Sequence, residues 1–230
     1  MLRSFPILLV VLVLNSCAIS PLKIVNSIFE APDSSGVCDI YISDLRQLEK
    51  IYQKEFSKFE IQPNEVVAEI GANNFFFSLA NMCFVEDVHF YVQDINLKCL
   101  TEENLEKGKE HFTKLRGLGP LTGKIEIFQG EQTRSNLPYD TFDKVILRLV
   151  YHELKEPEKN LQDIYQILKP EGILLIGDDI AKNKNKVVKC GVHRTEANLI
   201  QEVEKEGFQL EKVVYSNKKG DYKIFKFRKK

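Results

Sequence analysis

From residue 65 onward, short apolar runs alternate with amphipathic stretches, and this alternation constrains the fold more than any other feature of the chain. "EVVAEI" (65–70), "VHFYVQD" (88–94), "KIEIF" (124–128), "DKVILRLV" (143–150) and "GILLIGD" (172–178) read as buried strands by their continuous apolar character. Helical patterns lie between them. "FFSLANMC" (76–83) is a short helix, and Thr101 caps a second that runs to about Leu115, with Glu102 and Glu103 complementing its dipole. Pro157 suits the first turn of a third, whose apolar face is Leu161, Ile164, Tyr165 and Leu168. Thr195 caps a fourth, which Gly207 ends. "FQLEKVVYS" and "DYKIFKFRK" flank "NKKG" as a hairpin. Such alternation means an α/β architecture: a doubly wound, mostly parallel sheet, helices on both faces, and one antiparallel strand added by the C-terminal hairpin.

Upstream, Leu45, Leu48, Tyr52, Phe56 and Phe59 recur at helical spacing, which predicts an amphipathic helix of about four turns ended by "QPN" (62–64). Residues 18–42 lack periodicity and contain "APDSSG", so they read as a tether to a domain spanning 43–230. Residues 1–17 read as a leader. The apolar run from Phe5 to Leu14 spans roughly 15 Å as a helix, half of a bilayer core of about 30 Å. That is too short to cross and right for a signal peptide. The run ends in Leu14-Asn15-Ser16-Cys17, which resembles a bacterial lipobox and makes Cys17 the expected lipidation site. Cleavage after Ala18 is the alternative. The expectation is an exported, membrane-anchored lipoprotein on the periplasmic or outer-membrane side.

The chain of 230 residues carries 32 Lys+Arg against 33 Asp+Glu. That balance gives no electrostatic reason to expect a nucleic-acid partner. Of the four cysteines after Cys17 (Cys38, Cys83, Cys99 and Cys190), none forms a CxxC pair, so no metal site is expected. Cys83 and Cys99 sit beside apolar runs and read as buried free thiols. Lys182, Lys184, Lys186 and Lys189 make a basic loop, read as solvated, with contact to anionic lipid as the alternative.

In an open parallel sheet, ligands bind beyond the carboxyl ends of the strands. The first strand ends at Glu69-Ile70-Gly71 and the second in Asp94, an acid placed to accept both hydroxyls of a ribose. Gly130-Glu131 follows the third strand and would approach an adenine edge. The spacing suits an adenosine-type cofactor. His152, just beyond the fourth strand, is the best-placed base, with Tyr151 and Asp178 on the same rim. Local hydrogen bonding is the alternative role for His152.

The order of these segments resembles the class I S-adenosylmethionine-dependent methyltransferases, over about three quarters of the chain. "FEIQPNEVVAEIGANNFFFSLA" looks like their first motif, "FYVQDIN" the second, "GEQTRSNLPYDTFDKVILRLVYHEL" the stretch through strand four, "LKPEGILLIGDD" the "LKPGG" strand, and "TEANLIQEVEKEGFQLEKV" the closing helix and strand. The resemblance implies a Rossmann-like fold and S-adenosylmethionine held by Glu69, Gly71, Ala72, Asn73, Asp94 and Glu131, with His152 catalytic. It implies methyl transfer to an unknown small-molecule or lipid acceptor. The first motif departs from the family: its second and third glycines are Asn73 and Phe75. Asn tolerates positive φ, so position 73 is expected to keep the backbone shape. Phe75 is expected to be core, with obstruction of the methionine tail as the alternative. The degraded loop and an export signal together leave a second reading open, a non-catalytic binding or structural lipoprotein that keeps the fold.

Overall fold

The computed structural model describes Cys38 and residues 42–230. Helix α1 spans Leu45–Lys54, and its first turn is capped by Asp44, whose carboxylate accepts the Gln47 N–H at 3.0 Å. Strands β1 (Val66–Ile70), β2 (His89–Asp94), β3 (Lys124–Gln129), β4 (Phe142–Arg148) and β5 (Leu168–Asp179) alternate with α2 (Phe76–Met82), α3 (Glu102–Arg116) and α4 (Pro157–Ile167). A small hairpin, β6 (Lys186–Val188) and β7 (Gly191–His193), precedes α5 (Glu196–Lys205), β8 (Phe208–Ser216) and β9 (Tyr222–Lys229). Thr101 and Thr195 cap α3 and α5 as expected, each accepting a backbone N–H at 3.2 Å.

The main sheet has the order β3-β2-β1-β4-β5-β9-β8. Its first five strands are parallel, β9 runs antiparallel to β5, and β8 closes the edge antiparallel to β9. The chain order reverses between β1 and β4, so the switch point lies at the carboxyl ends of these two strands. Helices cover both faces. One face packs Phe56, Phe59, Phe75, Phe77, Phe90 and Phe112; the other packs Leu161, Ile164, Leu199, Val203 and Phe208. The doubly wound architecture is therefore as the sequence implies.

Four expectations need correction or limits. The four-turn helix is broken: α1 ends at Lys54 and a 3-10 turn covers Phe56–Phe59. The break falls at Glu55, which leaves helical geometry where its carboxylate turns inward to Arg148. Cys99 is not a free thiol but is joined to Cys38, 61 residues earlier. An apolar neighbourhood predicts burial, and Cys99 is buried, but it does not reveal a distant partner. Cys83 is the free buried thiol, pushed up to about 12 by burial, which Arg116 opposes. The basic loop folds in part as the β6–β7 hairpin. The leader, Cys17 and most of the tether lie outside the described residues. Where the tether meets the body, Ile42 is buried and its carbonyl bonds His111 Nε2 at 2.8 Å.

Candidate active site

Two turns meet at the switch point. The first follows β1. Gly71 takes φ +70° and Asn73 takes φ +58°, the left-handed shape expected at position 73. Gly71 and Ala72 donate their N–H groups to the Gln93 carbonyl at 2.8 and 3.1 Å. Asn73 donates its N–H to Asp94 Oδ2 at 2.9 Å, and Asn96 donates to Oδ1 at 2.9 Å. Asp94 thus organises the turn. A carboxylate accepts about four hydrogen bonds, so each oxygen keeps capacity for a ligand hydroxyl. Phe75 is buried within the aromatic core, so its ring is core as expected.

Beneath this turn sits Glu69, 3% exposed, with Oε2 unpartnered. Burial raises its pKa to about 8; Arg148 opposes the rise and Asp94 adds to it. Glu69 is therefore held largely protonated near neutrality. Arg148 at the end of β4 is partly buried over the Phe56 ring and pairs with Glu55 at 2.9 Å; the Tyr222 hydroxyl donates to the same Glu55 oxygen at 2.9 Å. Sequence reasoning missed this trio, because its members lie on three separate elements and none belongs to a motif.

The second turn follows β4. Leu149 adopts φ +58°, an uncommon conformation for its type, and Val150 then lies against Gly71. A Cβ on Gly71 would meet the Val150 methyls at 2.5 and 2.7 Å. The 3-10 turn Tyr151–Glu153 presents His152. Buried Asp178 accepts the His152 N–H at 2.8 Å through Oδ2 and faces Nδ1 at 2.7 Å through Oδ1. A carboxylate partner places the proton on Nδ1 and leaves Nε2 as the acceptor in the neutral ring. Burial lowers the His152 pKa, but the hydrogen bond and charge of Asp178, aided by Glu153 and Asp179, outweigh it and raise the net value. His193 packs edge-on against the ring at 5.0 Å. Burial raises the Glu153 pKa, His152 opposes the rise, and the charges of Asp178 and Asp94 add to it.

Glu131 is the predicted residue least tied to this site. It is exposed, and its N–H donates to Arg134 O at 2.7 Å. The neighbouring Gly130 offers no open face, because the Gln93 amide packs where a Cβ would be. Gln93 is the missed residue here. Its signal was a polar side chain inside an apolar strand.

The arrangement fits an adenosylated cofactor at its nucleoside end. Gly71 and Asn73 hold the turn, Asp94 keeps acceptor capacity, and Glu69 carries an orphaned buried oxygen on the same edge. At the other end, Val150 occupies the face of Gly71.

The sheet order, the switch-point turn and the acid closing β2 define the class I S-adenosylmethionine-dependent methyltransferase fold, whose cofactor is S-adenosylmethionine. Residues 71–176 match the methyltransferase domain family model. A S-adenosylmethionine-dependent methyltransferase from Aquifex aeolicus aligns with a TM-score of 0.56 and 20% identity, covering 81% of this chain and 98% of that one. The [4+2]-cyclase SpnF aligns with a TM-score of 0.62 and 11% identity, covering 87% of this chain and 84% of that one. Over 77 residues the chain is 34% identical to the ubiquinone/menaquinone biosynthesis C-methyltransferase UbiE of Escherichia fergusonii, covering 34% of this chain. The chain spans 29% of the length of that curated relative.

Proposed function

We propose that the protein transfers a methyl group from S-adenosylmethionine to a small-molecule acceptor, with a quinone-type ring as the acceptor class. The observation that carries the reading is the His152–Asp178 pair on the rim beside the cofactor turn. The acceptor class is carried over from the partial relative, a ubiquinone/menaquinone biosynthesis C-methyltransferase. When bound, S-adenosylmethionine supplies a methyl group already activated on a sulfonium. Asp94 and the Gly71–Asn73 turn hold the nucleoside end. Methylation of a hydroxyl-bearing ring releases one proton per methyl transferred, and His152 Nε2 takes it. Asp178 fixes the ring orientation and stabilises the imidazolium that forms.

The test is transfer of labelled methyl to quinols and lipid extracts. His152→Gln should lower turnover by about 10²–10⁴-fold and leave cofactor affinity unchanged. The wild-type rate should rise with pH through a pKa above the ordinary histidine value, because the ring must be neutral to act. Unchanged turnover in His152→Gln would sink the assignment of the base.

A second reading, a binding protein that keeps the fold without methyl transfer, is favoured by the seat of Val150 on Gly71. The fold neighbour SpnF, a [4+2]-cyclase, supports the general point that this fold does not dictate one reaction. Calorimetry with S-adenosylmethionine separates the two: no heat at millimolar cofactor supports the second.

We further infer export and attachment to a membrane through a lipid on Cys17. The leader pattern supports it, as does the Cys38–Cys99 disulfide, since such bonds persist in oxidising compartments. Cys17→Ser should release the protein from the membrane fraction. A Cys17 sulfur found by mass spectrometry in a disulfide rather than a thioether overturns it.

A further inference from the structure

The segment around the β6–β7 hairpin carries exposed cations that meet no carboxylate. No acidic residue occurs from Ile180 to Thr195, whereas Lys182, Lys184, Lys186 and Lys189 all do. All four are exposed, and none forms an ion pair among the described residues. Elsewhere the lysines of β4, β5 and β9 find carboxylates: Lys144 meets Glu65, Lys169 meets Asp143 and Lys223 meets Glu196. Between the hairpin lysines stands Val187, 81% exposed, above Leu118 at 76% among the large apolar side chains described. An exposed valine flanked by cations without carboxylate partners suits an anionic interface with an apolar layer behind it.

The hairpin is held at both ends, beside its turn at Gly191 and at its base by Asn185. Gly191 lies so close to the His152 carbonyl that a Cβ would meet it at 1.8 Å. The Asn185 side-chain oxygen accepts from Thr195 N at 2.9 Å and from Asn198 Nδ2 at 3.0 Å. The turn end therefore packs against the segment that presents His152, and Val187 in the middle of β6 is left exposed beside it. The Cys38–Cys99 disulfide fixes the start of the described chain to the loop after β2, on the same carboxyl edge. The apolar run Phe5–Leu14 precedes it in sequence.

We propose that the β6–β7 hairpin docks the protein on an anionic lipid bilayer, with Val187 entering the interface and the four lysines meeting headgroup phosphates. A nucleic-acid partner is disfavoured by chemistry: the ring of His193 is packed against His152 and Arg194 is paired with Glu202, so neither is offered to a base. Docking turns the His152 rim toward the bilayer. That an acceptor then arrives from the lipid phase rests on the methyl-transfer reading above; docking does not.

The protein contains no tryptophan, so Val187→Trp in the full chain installs a single reporter on the exposed face of β6. With phosphatidylglycerol vesicles its emission should shift to the blue and be quenched by brominated lipid. Phosphatidylcholine vesicles should do neither, and about 0.5 M salt, which shortens the Debye length to about 4 Å, should reverse the shift. Replacing the four lysines by glutamine should weaken vesicle binding by more than about 50-fold, since each lysine near such a surface contributes about fivefold. Unchanged thermal unfolding certifies that variant as folded. Co-flotation of the native chain against the lysine variant gives the same answer without the reporter. The proposal falls if emission is unmoved by anionic vesicles, if neutral vesicles move it equally, or if the lysine variant binds as tightly. It also falls if polyglutamate or an RNA homopolymer alone reproduces the shift. Methyl transfer is not needed for any of these readouts, so a failed activity assay leaves them intact.

Discussion

The two turns at the switch point solve different problems. The Gly71–Phe75 turn keeps a backbone shape: two left-handed residues, three N–H groups spent on the end of β2, and an aromatic ring sunk in the core. The Leu149–Glu153 turn keeps side-chain chemistry: a strained leucine, then His152 locked to a buried aspartate. Each turn takes up a proton more readily than its groups do in water, but with opposite electrostatic result. Glu69 loses a charge by it, and His152 gains one. Shape survives the loss of two motif glycines because asparagine tolerates the same φ and because the core absorbs phenylalanine. Chemistry of the second kind has no such substitutes, so perturbing the two turns should give separable effects.

The largest expected effect concerns the proton on Glu69. Its pKa rises from 4.5 unfolded to about 8 folded, so its contribution to stability is full below about 4.5 and is lost as pH rises to about 8. The shift is worth on the order of 5 kcal/mol. Glu69→Gln should therefore gain stability over wild type between pH 5 and 8.5 by that order, read from urea unfolding at both values. Equal stability differences at the two pH values would mean that Glu69 stays ionised beside Arg148.

Next comes Phe75→Ala, which should cost about 3–5 kcal/mol by emptying a buried aromatic site. A cost below about 1 kcal/mol would mean that the ring lies in an opening rather than in packed core. Cofactor titration of the same variant sharpens the comparison: if Phe75 is core alone, affinity should change only as far as the turn loosens.

Smaller is the cost of Gly71→Ala, about 2–4 kcal/mol. A side chain at φ +70° costs about 1–2 kcal/mol, and its methyl would overlap Val150. Adding Val150→Ala should restore about 1–2 kcal/mol, a coupling measurable by a double-mutant cycle. Val150→Ala alone should also strengthen S-adenosylmethionine binding if the valine is what covers the turn. Unchanged affinity would leave Val150 as packing only.

The sequence made the shape readable and the charge network unreadable. Strand runs, caps at Thr101 and Thr195, and the positive φ at Asn73 are local consequences of residue type, so each is legible where it stands. The seating of Phe75 followed from burial statistics. Glu55, Arg148 and Tyr222 meet only because β4, β9 and the end of α1 converge, and no spacing announces that. The Cys38–Cys99 bond joins loops 61 residues apart for the same reason. In β6 and β7, three-residue strands are too short for periodicity to show, and four lysines read more readily as solvated loop. His152 was found by position, but its partner Asp178 counted only as a neighbour until the 2.7 Å contact was seen.

The smallest expected effect is the most pointed test of the first turn. Asn73 contributes a backbone at φ +58° and an N–H to Asp94; its side chain makes no hydrogen bond among the described residues. Restoring the family's residue with Asn73→Gly keeps both contributions. It relieves the small cost of a left-handed asparagine and adds chain entropy to the unfolded state, two terms of about 0.4–1 kcal/mol with opposite sign. Stability should change by no more than about 0.5 kcal/mol, and affinity for S-adenosylmethionine by less than about twofold, in unfolding and calorimetric titrations run side by side. Asn73→Val is the contrast, because a β-branched side chain is a true outlier at that φ, and it should lose both stability and affinity. A tenfold gain in affinity for Asn73→Gly would relocate the obstruction from Val150 to the asparagine side chain. It would also mean that the turn had lost more than its glycine when the residue changed.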